Sequence, residues 1–284
     1  MAVMVEQVGH RREWRRFLDL PLHLHRGTPG WLPPLASLDR WLLDTQLNAT
    51  LHDLDVEVLV GRRRGRVVGR IAVHGGEERA VFSHLEAADE EALESLVGAA
   101  LDTARGWGAR EMEGPRAPGD PSDPGLRVDR QDVSPGVGLP WHPARYASAL
   151  IRLGAAVVEE EVRWRLAVSD VAGGGSNGGG EPMEVPPAFA PWADDRLASQ
   201  VGVAVPDVVV ELGATGVWGS WGAARRAARR GWRSCAVVAL LDDPRLAVPA
   251  LATLARAAGY TEIVSPWGGT AVNGVRFVRV GLPA

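Results

Sequence analysis

ARYASALIRLGAAVVEEEVRWRLAV, residues 144–168, reads as one helix stopped by Gly154 and followed by one strand. PALATLARAAGYTEIV and VRFVRVGL, residues 249–264 and 275–282, repeat that order, with Gly259 in the stopping place. A supersecondary unit that occurs twice in one chain points to a duplicated α/β architecture. The remaining elements are placed outward from these two copies.

Upstream, residues 1–8 read as a short strand, and residues 11–26 carry apolar positions at helical spacing. Residues 31–47 read as a turn and helix after Pro29, Pro33 and Pro34. Strands at 57–60 and 66–73 flank GRRRG, which predicts a hairpin whose three arginines form a solvated turn. A third strand is expected at 80–85. Asp89 then serves as N-cap of a helix to Arg105, with Glu90 and Glu91 suited to the positive helix start. A short strand at 111–113, a long Pro/Gly/Asp loop at 115–140, a helix over 142–153 and a strand over 157–168 complete a first domain, residues 1–170. GGGSNGGG marks a flexible linker at 171–183. The smaller second domain, residues 184–284, reads as a strand at 208–212, a loop with Gly213, Gly216, Gly219 and Gly222, an Arg-rich helix to about residue 230, a strand at 235–241, a helix at 244–258, and strands near Ile263 and at 275–280.

The 284 residues are 46% hydrophobic and carry a net charge of −4, which argues against a nonspecific polyanion binder. All 31 basic residues are arginine, a bias of GC-rich coding rather than a nucleic-acid signal, although five lie between Arg225 and Arg233. The single cysteine, Cys235, forms no internal disulfide. Neither a secretory signal nor an apolar run of about 18 residues is visible, so a cytoplasmic protein without membrane spans is expected.

The order of elements resembles the Gcn5-related N-acetyltransferase (GNAT) fold. The family's phosphate loop has Leu, an apolar residue at +2, Pro at +4, Arg or Gln at +7, Gly at +10 and Gly or Ala at +12. Leu212, Ala214, Gly216, Gly219, Gly222 and Ala224 occupy those places, with Gly219 in place of the Arg or Gln. LLDDPRLAVPALATLARAAGY resembles the family's later strand, turn and helix. RRFLDLPLHLHRGTPGWLPPL, residues 15–35, and LPWHPARYASALIRLGA are similar to the opening and the tyrosine-bearing helix of a bacterial GNAT-like family of unassigned function. The resemblance implies α/β (α+β) architecture with two GNAT-like domains. Each would be a mixed, mostly antiparallel sheet flanked by helices, the second one reduced.

It also implies acetyl-CoA or another acyl-CoA as cofactor, bound by Leu212, Ala214, Gly219, Gly222, Ala224, Arg225 and Arg226. There, backbone N–H groups at a helix start would hold the pyrophosphate. The alternative is a tight Gly-rich connection in which Trp218 and Trp221 fill a core. In the first domain, EAADEEALESL has no Gly and three carboxylates where a pyrophosphate would lie, so acyl-CoA is expected only in the second. Transfer to a small amine needs a base and an acid. Glu211 and Glu86, each at a strand end, are the base candidates, and either reads equally as a solvated strand end. The family's acid is a Tyr four residues before the helix-ending Gly. Those positions are Leu150 and Ala255, leaving Tyr146 as the nearest phenol, a packing residue in the plainer reading. His23 and His25 fall on different helix faces, so no metal pair is expected. His84 reads as a satisfied core or rim residue rather than a catalyst, and Glu159, Glu160 and Glu161 as an exposed strand segment or hairpin rim. Two further readings stand beside the N-acyltransferase: a catalytically degenerate GNAT-fold protein binding a ligand or partner, and a transferase using aminoacyl-tRNA, the latter not favoured.

Overall fold

The computed structural model describes residues 2–29, 31, 34, 36–76, 78–118, 123–132, 140–167, 208–212, 215–219, 236–240, 262–268 and 274–284. It divides into two compact units: Met1–Val133, Pro140–Glu160 and Arg276–Ala284 form the first, and Ser134–Leu139 and Glu161–Val275 the second. The linker expected at 171–183 lies outside the described residues.

In the first unit, β1 (Met4–Gln7), β2 (Asp55–Arg63), β3 (Arg66–Gly75) and β4 (Arg79–Ala87) pair antiparallel in sequence order. Strand β5 (Glu111–Gly114) is parallel to β4, and β12 (Gly274–Pro283), at the end of the chain, pairs antiparallel with β5 and with the two-residue β6 (Leu126–Arg127). Val280 faces Gly114 and Pro283 faces Glu111, which draws residues 276–284 into the first unit.

Helix α1 (Arg11–His25), helix α2 (Ala36–Leu42) and a 3₁₀ turn (Ala49–Leu51) come before β2. Helix α3 (Glu90–Gly106) joins β4 to β5, and α4 (Arg145–Arg152) precedes β7 (Ala156–Ala167). Ala92, Leu93, Leu96, Val97, Ala100 and Ala104 form the buried stripe of α3, at the three- and four-residue spacing that keeps them on one face. That stripe packs on Ile71, Val73, Phe82 and Leu85 of β3 and β4. Burying each large side chain there contributes up to about 1.5–3 kcal/mol. Phe17 of α1 packs on the other face, against Val58, Val60 and Ala72. Helix α4 ends as its sequence predicts, with Gly154 at φ +91° and the Ala155 amide donating back to the Leu150 carbonyl.

The GRRRG expectation is corrected. Strand β2 runs through Arg62 and Arg63, and only Arg64 and Gly65, both at positive φ, make the two-residue turn. Arg62 pairs with Glu6 and Glu13, and Arg63 with Asp89 and Glu91, so two of the three arginines tie elements together. The glutamates of β7 are likewise not idle: Glu159 pairs with Arg279 and Glu160 with Arg276.

In the second unit, β8 (Val208–Leu212) and β9 (Thr215–Gly219) form an antiparallel hairpin, and β9 pairs antiparallel with β10 (Ala236–Leu240). Strand β10 is parallel to β11 (Glu262–Gly268), which pairs antiparallel with residues 163–167 of β7. Each unit therefore holds a run of successive antiparallel strands, four in the first and three in the second, and then a parallel one. That order, rather than the helix-Gly-strand echo, is the structural repeat. The echo matches elements in different places, since α4 precedes an antiparallel strand whereas residues 249–259 precede the parallel strand β11.

Candidate functional site

Strand β4 carries one extra residue. Arg70 faces Glu86 and Ala72 faces Ser83, so three residues of β3 oppose four of β4, and His84 takes up the difference at φ +54°. Ala80 and Phe82 point into the α3 core, and beyond the bulge Leu85 and Ala87 do so. The shift turns Glu86 to the α1 face, where simple alternation would have sent it to α3.

On that face, Glu86 Oε2 lies 2.7 Å from His25 Nε2, with the two side chains 10% and 4% exposed. With Glu86 as the carboxylate, His25 Nε2–H is the donor. The imidazole packs against Trp31 and Trp141, ring centroids 5.9 and 5.0 Å away. Among the described residues, Glu86 Oε1 has no hydrogen-bond partner.

Around this pair, Arg70, His142 and the His74, Ser83 and His84 group make hydrogen bonds of their own, while Arg70 Nε and His74 Nδ1 are buried without a partner. Arg70 Nη1 donates to Asp39 Oδ2 at 3.1 Å and to the Phe17 carbonyl at 3.3 Å, and its guanidinium lies over the Phe17 ring. Burial holds the Asp39 carboxyl above its ordinary pKa despite Arg70. His142 Nδ1 accepts from the Arg127 amide, and burial pushes its pKa down to about 4. His74, Ser83 and His84 form a chain of 2.8 Å hydrogen bonds, with burial pushing His74 to about 3 and His84 well below the usual histidine value. His84 is thus a half-buried, hydrogen-bonded residue.

Tyr146 is fully buried. Its hydroxyl donates to the Ala87 carbonyl at 2.9 Å and accepts from the Ala87 amide, while burial raises its pKa well above the ordinary phenol value. The structure brings Tyr146 and Glu86 to one strand end, yet the phenol's proton is committed to the backbone.

The start of α3 is occupied by the chain's own charges. Asp89 caps it by accepting from the Ala92 amide and forms a two-pronged pair with Arg63. Glu91 also takes Arg63, and Glu90 takes Arg152. Arg145 donates to the Ala87 and Ala88 carbonyls. A pyrophosphate does not fit here: the helix-start amides are capped by a carboxylate, and two further carboxylates flank them.

In the second unit, Glu211 and Leu212 lie on β8, with Gly216 and Thr215 of β9 as their partners. Gly219 ends β9, opposite Val208 and Val238. The expected Gly loop is therefore partly strand, because residues 215–219 fill the place between β8 and β10. Ala214, Gly222, Ala224, Arg225 and Arg226 lie outside the described residues. In the first unit the connection between the parallel strands is the one that carries α3. Its counterpart in the second is residues 241–261, between β10 and β11.

Sequence reasoning singled out Glu86 but missed its partners. His25 was set aside with His23 as an unlikely metal pair, and Trp141 and His142 drew no role. Within the loop over 115–140, Arg127 is fully buried, donating to the Asp129 and Arg130 carbonyls. No helix among the described residues is long and apolar enough to cross a membrane.

No protein-family model matches the chain. Protein YghO of Escherichia coli is 24% identical over 160 residues, an alignment that covers 53% of this chain and 41% of that protein. A tandem GNAT protein from the clavulanic acid biosynthesis pathway superposes with a TM-score of 0.53 at 12% identity, covering 99% of this chain and 98% of its own. The chain has the tandem GNAT fold. A putative acetyltransferase from Pyrococcus horikoshii, 11% identical over 100% of this chain and 90% of its own, has a TM-score of 0.49.

Proposed function

We propose that this protein is an N-acyltransferase that moves an acyl group from acetyl-CoA or another acyl-CoA to a small amine. The observation that carries the proposal is the tandem GNAT fold, with an antiparallel run followed by one parallel strand in each unit. The carboxylates at the ends of β4 and β8, Glu86 and Glu211, are the two groups assigned to take the amine's proton. Because the start of α3 is closed, the proposal gives acyl-CoA to the second unit. Leu212, Ala214, Gly219, Gly222, Ala224, Arg225 and Arg226 are the contacts to test there, together with the connection after β10.

Titration of the full chain with acetyl-CoA tests this, paired with thiol-release assays over a panel of primary amines. Binding and turnover that disappear in Arg225→Ala/Arg226→Ala support the Gly-rich side. Binding that survives it moves the contact to residues 241–261. Failure to bind at near-millimolar acetyl-CoA removes the proposal.

A second reading has its own support. The Asp89, Arg63 and Glu91 cluster and the engaged Tyr146 favour a catalytically degenerate GNAT-fold protein that binds a ligand. Copurified ligand without turnover of any acyl donor selects it.

A further inference from the structure

Two consecutive residues of β4 turn to the same side of the sheet. Ser83 pairs across to Ala72, which packs with Phe17 on the α1 face, and the His84 ring lies 6.1 Å from the Phe17 ring. Phe82 before them and Leu85 after them belong to the α3 core. Regular alternation would send the His84 imidazole into that apolar core, where it would be costly, and the bulge avoids this. The same bulge decides which face Glu86 takes two residues later.

Side chains fix the bulge at this residue. His84 holds φ at +54°, a left-handed conformation that is unfavourable for a residue with a Cβ, although Asn, Asp and His adopt it more readily than most. Ser83 Oγ offsets that cost, lying 2.8 Å from His84 Nδ1 and 2.8 Å from His74 Nε2. His74 is fully buried on β3, opposite Val81, so the hydrogen-bond chain crosses from the bulged strand to its neighbour.

Burial keeps both imidazoles neutral, each with one N–H and one bare nitrogen. His74 Nδ1 is buried without a partner, and a bare nitrogen is less costly there than a stranded N–H. The His74 proton therefore lies on Nε2 and is donated to Ser83 Oγ, and the serine hydroxyl donates in turn to His84 Nδ1.

We propose that Ser83, anchored by His74, is a positioning residue: it pins the β4 bulge at His84 and thereby keeps Glu86 turned toward His25. The proposal rests on the geometry of β4, and only its consequence for catalysis rests on the reading of Glu86 as the base.

The test uses the full chain with isotope-labelled histidine and follows the His25 Nε2–H resonance by NMR. His25→Gln assigns that resonance, and Glu86→Gln marks where it moves once the carboxylate is gone. Ser83→Ala and His84→Gly should each carry it at least halfway to that position. His84→Asn, which tolerates a positive φ and carries an oxygen close to the place of Nδ1, should leave it near the wild-type shift. Glycine accepts the backbone angle as well, so the contrast between Gly and Asn separates the hydrogen bond from the strain. An unmoved resonance in both Ser83→Ala and His84→Gly, or equal shifts in His84→Asn and His84→Gly, overturns the proposal. Should Ser83→Ala fail to fold, the Gly and Asn pair decides alone. In a chain that transfers acyl groups, Ser83→Ala should lower kcat more than it raises KM. Absence of acyl transfer in the wild type bears only on the transferase reading, since the resonance is read without turnover.

Discussion

Arg63 and Asp89 meet in a two-pronged ion pair at the start of α3, Nη1 to Oδ2 at 2.6 Å and Nη2 to Oδ1 at 2.9 Å. The carboxylate serves two structures at once, capping the helix and tying it to the end of β2. Asp89→Ala should cost about 1 kcal/mol through loss of the cap, whereas Arg63→Ala should cost less, because the pair is substantially exposed. The hydrogen bond from Arg63 holds the Asp89 carboxyl below its ordinary pKa. Its contribution is therefore complete above about pH 4 and fades as pH falls through the lower folded value. Urea midpoints of both variants across that range check the order and the direction.

Buried His74 and His142, with half-buried His84, add acid sensitivity of the same sign in a higher pH window. Burial lowers His142 to about 4 and His74 to about 3, and His84 well below the usual value. The unfolded chain takes up these protons first as pH drops below about 6.5, so stability should decline from there toward about pH 4. Each histidine adds a slope of up to about 1.4 kcal/mol per pH unit. His142→Gln should flatten the decline measured by urea unfolding at several pH values, and an unchanged slope would count against a neutral buried His142.

Tyr146→Phe separates packing from chemistry. The Ala87 carbonyl keeps Arg145 as a donor, but the Ala87 amide loses its partner. A loss of about 1–3 kcal/mol is expected from that orphaned buried group, read from chemical denaturation. If the protein transfers acyl groups, kcat should change little, because the phenol's proton is already committed to the backbone.

Gly114→Ala probes the point where β4 and β5 run together. An added Cβ would run into the Phe82 carbonyl oxygen and come within 2.7 Å of the Phe82 ring, at a φ of +157°. Destabilisation of about 2 kcal/mol or more is expected in thermal or urea unfolding.

The first unit was largely legible because its signals are local. Asp89 caps α3 as its position before Glu90 and Glu91 implies, and Gly154 ends α4. The bulge at His84 also left a trace, since the apolar alternation of Ala80 and Phe82 resumes at Leu85 and Ala87 with one residue skipped. Its consequence for Glu86 was not legible, because turning a side chain toward α1 matters only once α1 is known to lie there. The His25 contact spans 61 positions and joins two elements through a hydrogen bond that no spacing encodes. In the second unit, glycines at three-residue spacing look like a loop, yet 216 and 219 sit in a strand because β8 and β10 supply partners on both sides. Local composition carries no record of those neighbours.

Stoichiometry of coenzyme A binding tests the account most directly. Calorimetric titration of the full chain should give one site per chain, unaffected by Arg63→Ala or by Glu86→Gln, since the first unit's helix start is filled by its own carboxylates. Two sites per chain, or loss of binding when Arg63 is replaced, would place the cofactor at α3 and contradict the account.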